Sequence, residues 1–489
     1  MFEAAELGRK ISKTDYKKEE PQLHTQLLEI QRTLRESDFP VIIIVSGVEG
    51  AGKGEVVNRL NEWLDTRGIT TSAFWDESDE ELERPSDWRF WRRLPPKGTI
   101  GIMFGSWYTK PIVNYVFKKT DVSEFERQLQ HISEFEQTLT DDGALIIKLW
   151  FHMAKKDVFK RLKAEAKKDT RISPILKKFS KRYDQFARAS ERAIRITDQG
   201  QSPWHIVEAL DRRYRDLTTG RIVLDMIREK IKISDAKKKP TKSRASSHQP
   251  GEVTILDKVD LDQKLTDKEY RNLLGRYQRK LYGLSWDAYK KKRSCVAVFE
   301  GWDAAGKGGA IRRITAATDA RLYQVISVAA PTDEEKAHHY LWRFWRHLPR
   351  AGYLTIYDRS WYGRVLVERV EQFAREDEWQ RAYHEINQFE QQLCESGIVM
   401  LKYWVHLSPE EQLRRFKERE KIAWKMHKIT DEDWRNREKW DDYTAAINDM
   451  VSHTSTHYAP WTLIAGNDKK FARVEILKTF CNHLEEALS

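Results

Sequence analysis

The sequence contains one pattern twice, at a constant step. GVEGAGKGE begins at Gly47 and GWDAAGKGG at Gly301; WRFWRRLP begins at Trp88 and WRFWRHLP at Trp342; each pair stands 254 residues apart. SWY at Ser106 and Ser360, FEQ at Phe135 and Phe389, and W-x-H at Trp150 and Trp404 keep the same step. A register unbroken from Gly47 to His152 excludes any net insertion between the copies over that span, so the chain is a duplicated domain. Further on, PW at Pro203 and at Pro460 are 257 residues apart, so the second copy has gained three residues in between.

Between the copies lies SDAKKKPTKSRASSHQPGEVT, Ser234–Thr254, poor in apolar residues and rich in Lys, Ser and Pro. That composition predicts a flexible linker. The expected division is therefore a first domain over 1–233, a linker over 234–254 and a second domain over 255–489.

Each copy reads as α/β. VIIIVS (Val41–Ser46) and CVAVFE (Cys295–Glu300) are short apolar runs that end directly in the glycine-rich segments. Such runs suit strands buried on both faces of a parallel sheet. YLTIYD (Tyr353–Asp358) and IVMLKYWVH (Ile398–His406) predict two more strands. Charged amphipathic stretches separate them, such as SPEEQLRRFKERE, where Ser408 predicts an N-cap and Pro409 the first helical position. The expected fold is a three-layer α/β domain with a parallel sheet, present in tandem.

At 40% hydrophobic residues the chain can bury real cores, which excludes wholesale disorder. Lysine and arginine outnumber the acids 86 to 75, a net +11, and predict a polyanionic partner: nucleic acid, an anionic membrane or a phosphate-rich substrate. Cys295, Cys394 and Cys481 show neither metal-site nor disulfide spacing, and no apolar run spans a bilayer, so a cytoplasmic protein without membrane attachment is expected.

In the second copy, Gly301-Trp-Asp-Ala-Ala-Gly306-Lys307 fits G-x-x-x-x-G-K between a strand and a helix. Gly301, Ala304, Ala305, Gly306, Gly308 and Gly309 then offer backbone N–H groups to phosphate oxygens, and Lys307 adds a point charge. The hydroxyl that ordinarily grips magnesium in such a loop is missing, because position 308 is Gly. Two acids can replace it: Asp303 inside the loop and Asp358 at the end of a strand, together holding hydrated Mg2+, with Mn2+ as an alternative ion. Arg359 and Arg364 follow Asp358 with guanidinium groups suited to phosphate. Arg415, Arg419, Lys421, Lys425 and Lys428 form a basic stretch expected to close as a lid over phosphates, with Lys425 among the phosphate contacts.

GWDAAGKGG, LWRFWRHLP, YDRSWYGR and APWTLI together resemble the polyphosphate kinase 2 family. The resemblance spans Asp260 to the C-terminus, and the first copy more loosely. It implies a P-loop-kinase fold with a helical lid and Mg2+-dependent phosphoryl transfer between inorganic polyphosphate and nucleotides. Tandem members of that family look like enzymes that make ADP from AMP. Asp303, Lys307, Asp358, Arg359 and Arg364 carry over as catalytic residues, and Arg419 as the lid arginine. Polyphosphate and AMP or ADP are the implied partners; a homo-oligomer stays open. An ATP-dependent nucleotide kinase and a polyphosphate kinase specific for nucleoside diphosphates are the near alternatives, and a nucleic-acid-binding P-loop protein the distant one.

The 254 step maps Lys307 to Lys53, Asp303 to Glu49, Asp358 to Phe104, Arg359 to Gly105 and Arg364 to Lys110. The first copy keeps the phosphate cradle and loses the strand-end acid and both arginines. It is expected to be inactive, with either a packing role or, through Lys53, Arg92, Arg93 and Lys97, a role in extending a polyphosphate track.

Overall fold

The computed structural model describes residues 1–167, 178–237, 254–421 and 431–489. The chain divides into two compact units: Met1–Glu77, Arg89–Thr241 and Thr332–His339 in the first, and Ser78–Trp88, Lys242–Pro331 and Tyr340–Ser489 in the second. The helix Arg212–Lys237 runs past residue 233, so the domain end expected from composition falls inside a helix.

The first unit holds strands β1 (Val41–Gly47), β2 (Ile69–Ala73), β3 (Ile100–Phe104), β4 (Leu145–His152) and β5 (Trp204–Glu208), in the order β2-β3-β1-β4-β5. The second holds β6 (Cys295–Gly301), β7 (Tyr323–Ser327), β8 (Leu354–Asp358), β9 (Val399–His406) and β10 (Trp461–Ala465), in the equivalent order β7-β8-β6-β9-β10. All pairings are parallel. The central runs Val41–Val45 and Cys295–Glu300 are buried throughout, as β-branched strands covered on both faces require.

Two sets of helices sandwich each sheet. In the second unit Asp267–Lys290, Lys307–Thr315 and Lys469–Leu488 pack together, Glu376–Glu395 packs with Trp440–Thr454, and both sets meet β9. In the first unit Lys13–Leu34, Lys53–Trp63 and Arg212–Lys237 form one set, and Thr109–Val116, Val122–Asp141 and Tyr183–Thr197 the other. The result is the three-layer α/β fold with a parallel sheet, made twice. Ser408 caps its helix by accepting from the Glu411 N–H at 3.2 Å, with Pro409 in the first turn.

The turn out of β6 admits only glycine at its first position. Gly301 has φ 150°, and a Cβ there would lie 2.6 Å from the Val405 carbonyl oxygen on β9. Gly301→Ala is expected to destabilise the second unit by about 2 kcal/mol or more. Gly54→Ala, in a helix with nothing within 4 Å of the added Cβ, should be neutral or stabilising. Urea unfolding of the two variants checks the contrast.

Candidate active site

The strand–loop–helix unit of the second copy builds the site. β6 delivers Gly301, and Gly306, at φ 109°, starts the helix Lys307–Thr315. Lys307 arches back so that its Nζ donates to the carbonyls of Gly301 (2.6 Å) and Trp302 (3.3 Å). No carboxylate partners it among the described residues, so its charge remains available to an anion.

Asp358 ends β8, where it pairs with Phe299 of the neighbouring β6. A Cβ on Gly308 would stand 3.9 Å from Asp358 Oδ2, so the position lacking the usual hydroxyl faces this acid. Among the described residues the Asp358 carboxylate makes no hydrogen bond and no ion pair. An unspent carboxylate beside open space at a phosphate loop fits a hard divalent ion that keeps several waters. No group of three or more His, Cys, Asp or Glu that could hold a metal occurs among the described residues, so any such ion takes its remaining ligands from water and phosphate.

Asp303 is already engaged. Its Oδ1 accepts from Arg359 Nη2 at 3.2 Å and its Oδ2 from Asn436 Nδ2 at 3.0 Å. Arg359, the residue after Asp358, therefore ties the loop acid to the end of β8, and its guanidinium is half-exposed. Arg364 pairs with Glu368 at 3.2 Å and lies 4.6 Å over the Tyr340 ring. Arg419 is half-buried one turn beyond Arg415 and near enough to disfavour that residue's charge. Lys425 and Lys428 lie outside the described residues.

Two residues of this site carry backbone strain. Ala304 (φ 62°) and Arg359 (φ 64°) adopt the left-handed conformation, whereas the first copy has Gly50 (φ 86°) and Gly105 (φ 74°) at the equivalent positions. A left-handed non-glycine residue costs about 1 kcal/mol, and such strain persists mainly where function requires the side chain. Arg359→Gly is expected to leave thermal stability equal or higher while lowering turnover by about 100-fold. Melting and rate measurements on the same preparation check both halves.

Several residues that shape the site were not singled out from sequence. Asn436 holds Asp303 and in turn accepts from the Tyr443 hydroxyl at 3.1 Å. Trp440 stacks on Trp302 of the loop at 3.7 Å with ring planes 5° apart. The Trp302 indole donates to His406 Nδ1 at 3.1 Å, and burial pushes that imidazole down to about 4, keeping it neutral. Glu300 is buried just before the loop, accepts from Ser360 Oγ at 2.8 Å, and has its pKa raised by burial against the pull of Lys307. The first copy has Ser46 in its place, so comparing the repeats could have flagged it.

Arg415 corrects an expectation. It is not part of a basic lid: it is 1% exposed and braces the loop from behind. Its guanidinium donates to the carbonyls of Ala304 and Ala305, both at 3.0 Å, and of Gly466 (2.6 Å) and Asn467 (2.9 Å).

The first copy has the same ladder with different chemistry. Phe104 pairs with Val45 as Asp358 pairs with Phe299. Lys53 Nζ reaches Glu49 of its own loop at 2.7 Å, an internal salt bridge that neutralises the cradle. Lys110 is held by Glu77 at 2.7 Å. The fully buried Arg215 lies across the loop, donating to Ala51 O at 3.3 Å and Glu55 Oε2 at 2.9 Å.

No helix among the described residues is long and apolar enough to cross a membrane. The family model described as Polyphosphate kinase 2 matches residues 10–235 and again 264–489. A Pseudomonas aeruginosa protein named polyphosphate:AMP phosphotransferase is 48% identical over 100% of this chain and 99% of its own length. A protein of the same name from Acinetobacter johnsonii is 37% identical over 95% of this chain and 96% of its own. A crystal structure from Pseudomonas aeruginosa described as a polyphosphate kinase 2 superposes with a TM-score of 0.90 at 48% identity, covering 100% of this chain and 99% of that one. Twice-matched, and alike over its whole length in both sequence and backbone, the chain belongs to the polyphosphate kinase 2 family.

Proposed function

We propose that this protein transfers the terminal phosphoryl group of inorganic polyphosphate to AMP, forming ADP and a polyphosphate one unit shorter. The observation that carries it is the free Asp358 carboxylate 3.9 Å from the open Gly308 position, beside an unpaired Lys307. The full-length relatives named for this reaction support the choice of donor and acceptor.

In this proposal the loop backbone and Lys307 bind the donor's terminal phosphates, and Arg359 and Arg364 orient oxygens of the transferring group. Asp358, with Asp303, would hold Mg2+ or Mn2+, which when bound offsets the charge of the phosphates. Arg419 closes over the donor and excludes water, so that the acceptor phosphate oxygen of AMP is the nucleophile. The P–O bond to the next phosphate of the polymer breaks as the bond to AMP forms, and the shortened polymer leaves with the bridging oxygen. The first copy lacks the strand-end acid and has its lysine neutralised by Glu49, so turnover belongs to the second copy alone.

The test supplies AMP and Mg2+ with either polyphosphate or ATP and measures ADP. ADP from polyphosphate, lost on chelation and restored by Mg2+, is the expected result. ADP formed from ATP and AMP but not from polyphosphate would make the chain a nucleotide kinase instead.

A further inference from the structure

The two glycines after Lys307 face different neighbours. A Cβ on Gly308 would look toward Asp358, whereas a Cβ on Gly309 would come within 3.3 Å of Arg473 Nη2. Arg473 lies on the first turns of the helix Lys469–Leu488, which packs against Lys307–Thr315 in the same layer. The bare Cα of Gly309 leaves room for that guanidinium beside the N-terminus of the loop helix.

Arg473 is half-buried, yet makes no hydrogen bond or ion pair among the described residues. One turn earlier, Lys469 is in the same condition. Burial, and the charges of Arg415 and Arg414, push its ammonium pKa down against the opposing pull of Glu418 and Glu411, so the site is crowded with cations although two acids stand nearby. Uncompensated, partly desolvated positive charge is costly, and an anion that spans the group removes the cost. Neighbours on the same helix do find acids: Lys470 pairs with Asp267 at 2.9 Å and Lys478 with Glu475 at 3.1 Å.

The first copy is an internal control. By the 257 step, Lys469 corresponds to Arg212 and Arg473 to Asp216. Asp216 is 1% exposed and satisfied by Arg215 at 2.8 Å, with Arg59 and Arg212 each at 3.7 Å. The surplus cation of the second copy is thus replaced by a paired acid in the copy that has also lost Asp358.

We infer that Lys469 and Arg473 form a binding subsite for the body of the phosphate polymer, holding the units that trail behind the transferring end as they leave the loop across Gly309. This rests on the proposed polyphosphate donor. It adds a length-sensing role: a short donor fills the loop alone, and a long one fills the loop and this subsite.

The test measures kcat/KM with AMP for two donors, tripolyphosphate and long-chain polyphosphate, in Lys469→Gln, Arg473→Gln and the double variant. The ratio of long-chain to tripolyphosphate efficiency is expected to fall about tenfold in the double variant, with a shallower salt dependence of KM for the long donor. Arg473→Lys, which keeps the charge, should retain most of the ratio. An unchanged ratio, or equal losses with both donors, overturns the subsite. If Arg473→Gln fails to fold, Lys469→Gln alone carries the same comparison. A wild-type protein inactive with both polymers but active with ATP would instead remove the donor assignment itself.

Discussion

Asp358→Asn is expected to leave the chain folded and to lower the rate of ADP formation by about 10³-fold or more. The carboxylate makes no hydrogen bond or ion pair within the described structure, so the substitution breaks nothing that holds the fold. What it removes is negative charge at the one strand end facing the open Gly308 position, where a divalent ion would be held against the donor. Loss of a single group that stabilises charge in a transition state commonly costs about 10²–10³-fold, and loss of a metal ligand adds to that. The companion variant is Lys53→Ala in the first copy. Lys53 is bound to Glu49 at 2.7 Å, so removing it should change turnover by no more than about twofold. Initial rates of ADP formation from AMP and polyphosphate compare the two, and comparable losses from both would end the assignment of chemistry to one copy.

The second large effect concerns stability. Lys402 of β9 reaches Glu390 at 2.7 Å with both side chains 0% exposed, and the same pair occurs as Lys148 and Glu136 in the first unit, again 2.7 Å and 0% exposed. Each glutamate also accepts from a Trp and a Tyr that follow the strand-end position: Trp361 and Tyr362 in one unit, Trp107 and Tyr108 in the other. Each lysine donates further to the carbonyl of Thr454 or Thr197. Lys402→Met and Lys148→Met would each strand a carboxylate without a countercharge, at an expected cost of about 3–5 kcal/mol to the unit concerned. Urea unfolding measures it, and a loss under about 1 kcal/mol would show that the glutamate finds another way to be satisfied. Activity per folded molecule should separate the pair. Lys402→Met loosens the segment directly after Arg359 and lowers turnover, whereas Lys148→Met leaves it largely intact. A network kept in both copies serves the fold. Groups kept only in the second copy, such as Asp358, Arg359, Glu300 and Arg473, are the ones the proposed phosphoryl transfer draws on.

The central strands, the parallel character of the sheet and the phosphate loop were legible in the sequence because each depends on local pattern, whereas the strand order and the outer strands Tyr323–Ser327 and Trp461–Ala465 were not. VIIIVS and CVAVFE are β-branched runs that end in glycines, and the constant step carries every assignment in one copy over to the other. Asp358 was legible as well, since a strand-end acid is defined by the run before it, and its loss in the first copy is visible as Phe104. The basic stretch from Arg414 was less so. Its residues look alike on paper, yet Arg415 is buried behind the loop while Arg414 is exposed and paired with Glu411 and Glu418.

By itself, then, the sequence determined a duplicated parallel α/β domain with a glycine-rich loop in each copy and the strand-end acid in only one, because strand burial, glycine turns and repeat register are all short-range or periodic properties. Tertiary structure alone decided which charges are spent and which are free. Asp303 meets Asn436, Trp302 meets Trp440 and Gly309 meets Arg473 across more than a hundred residues of chain, and whether a charge has a partner depends on what the fold sets beside it rather than on its neighbours in sequence.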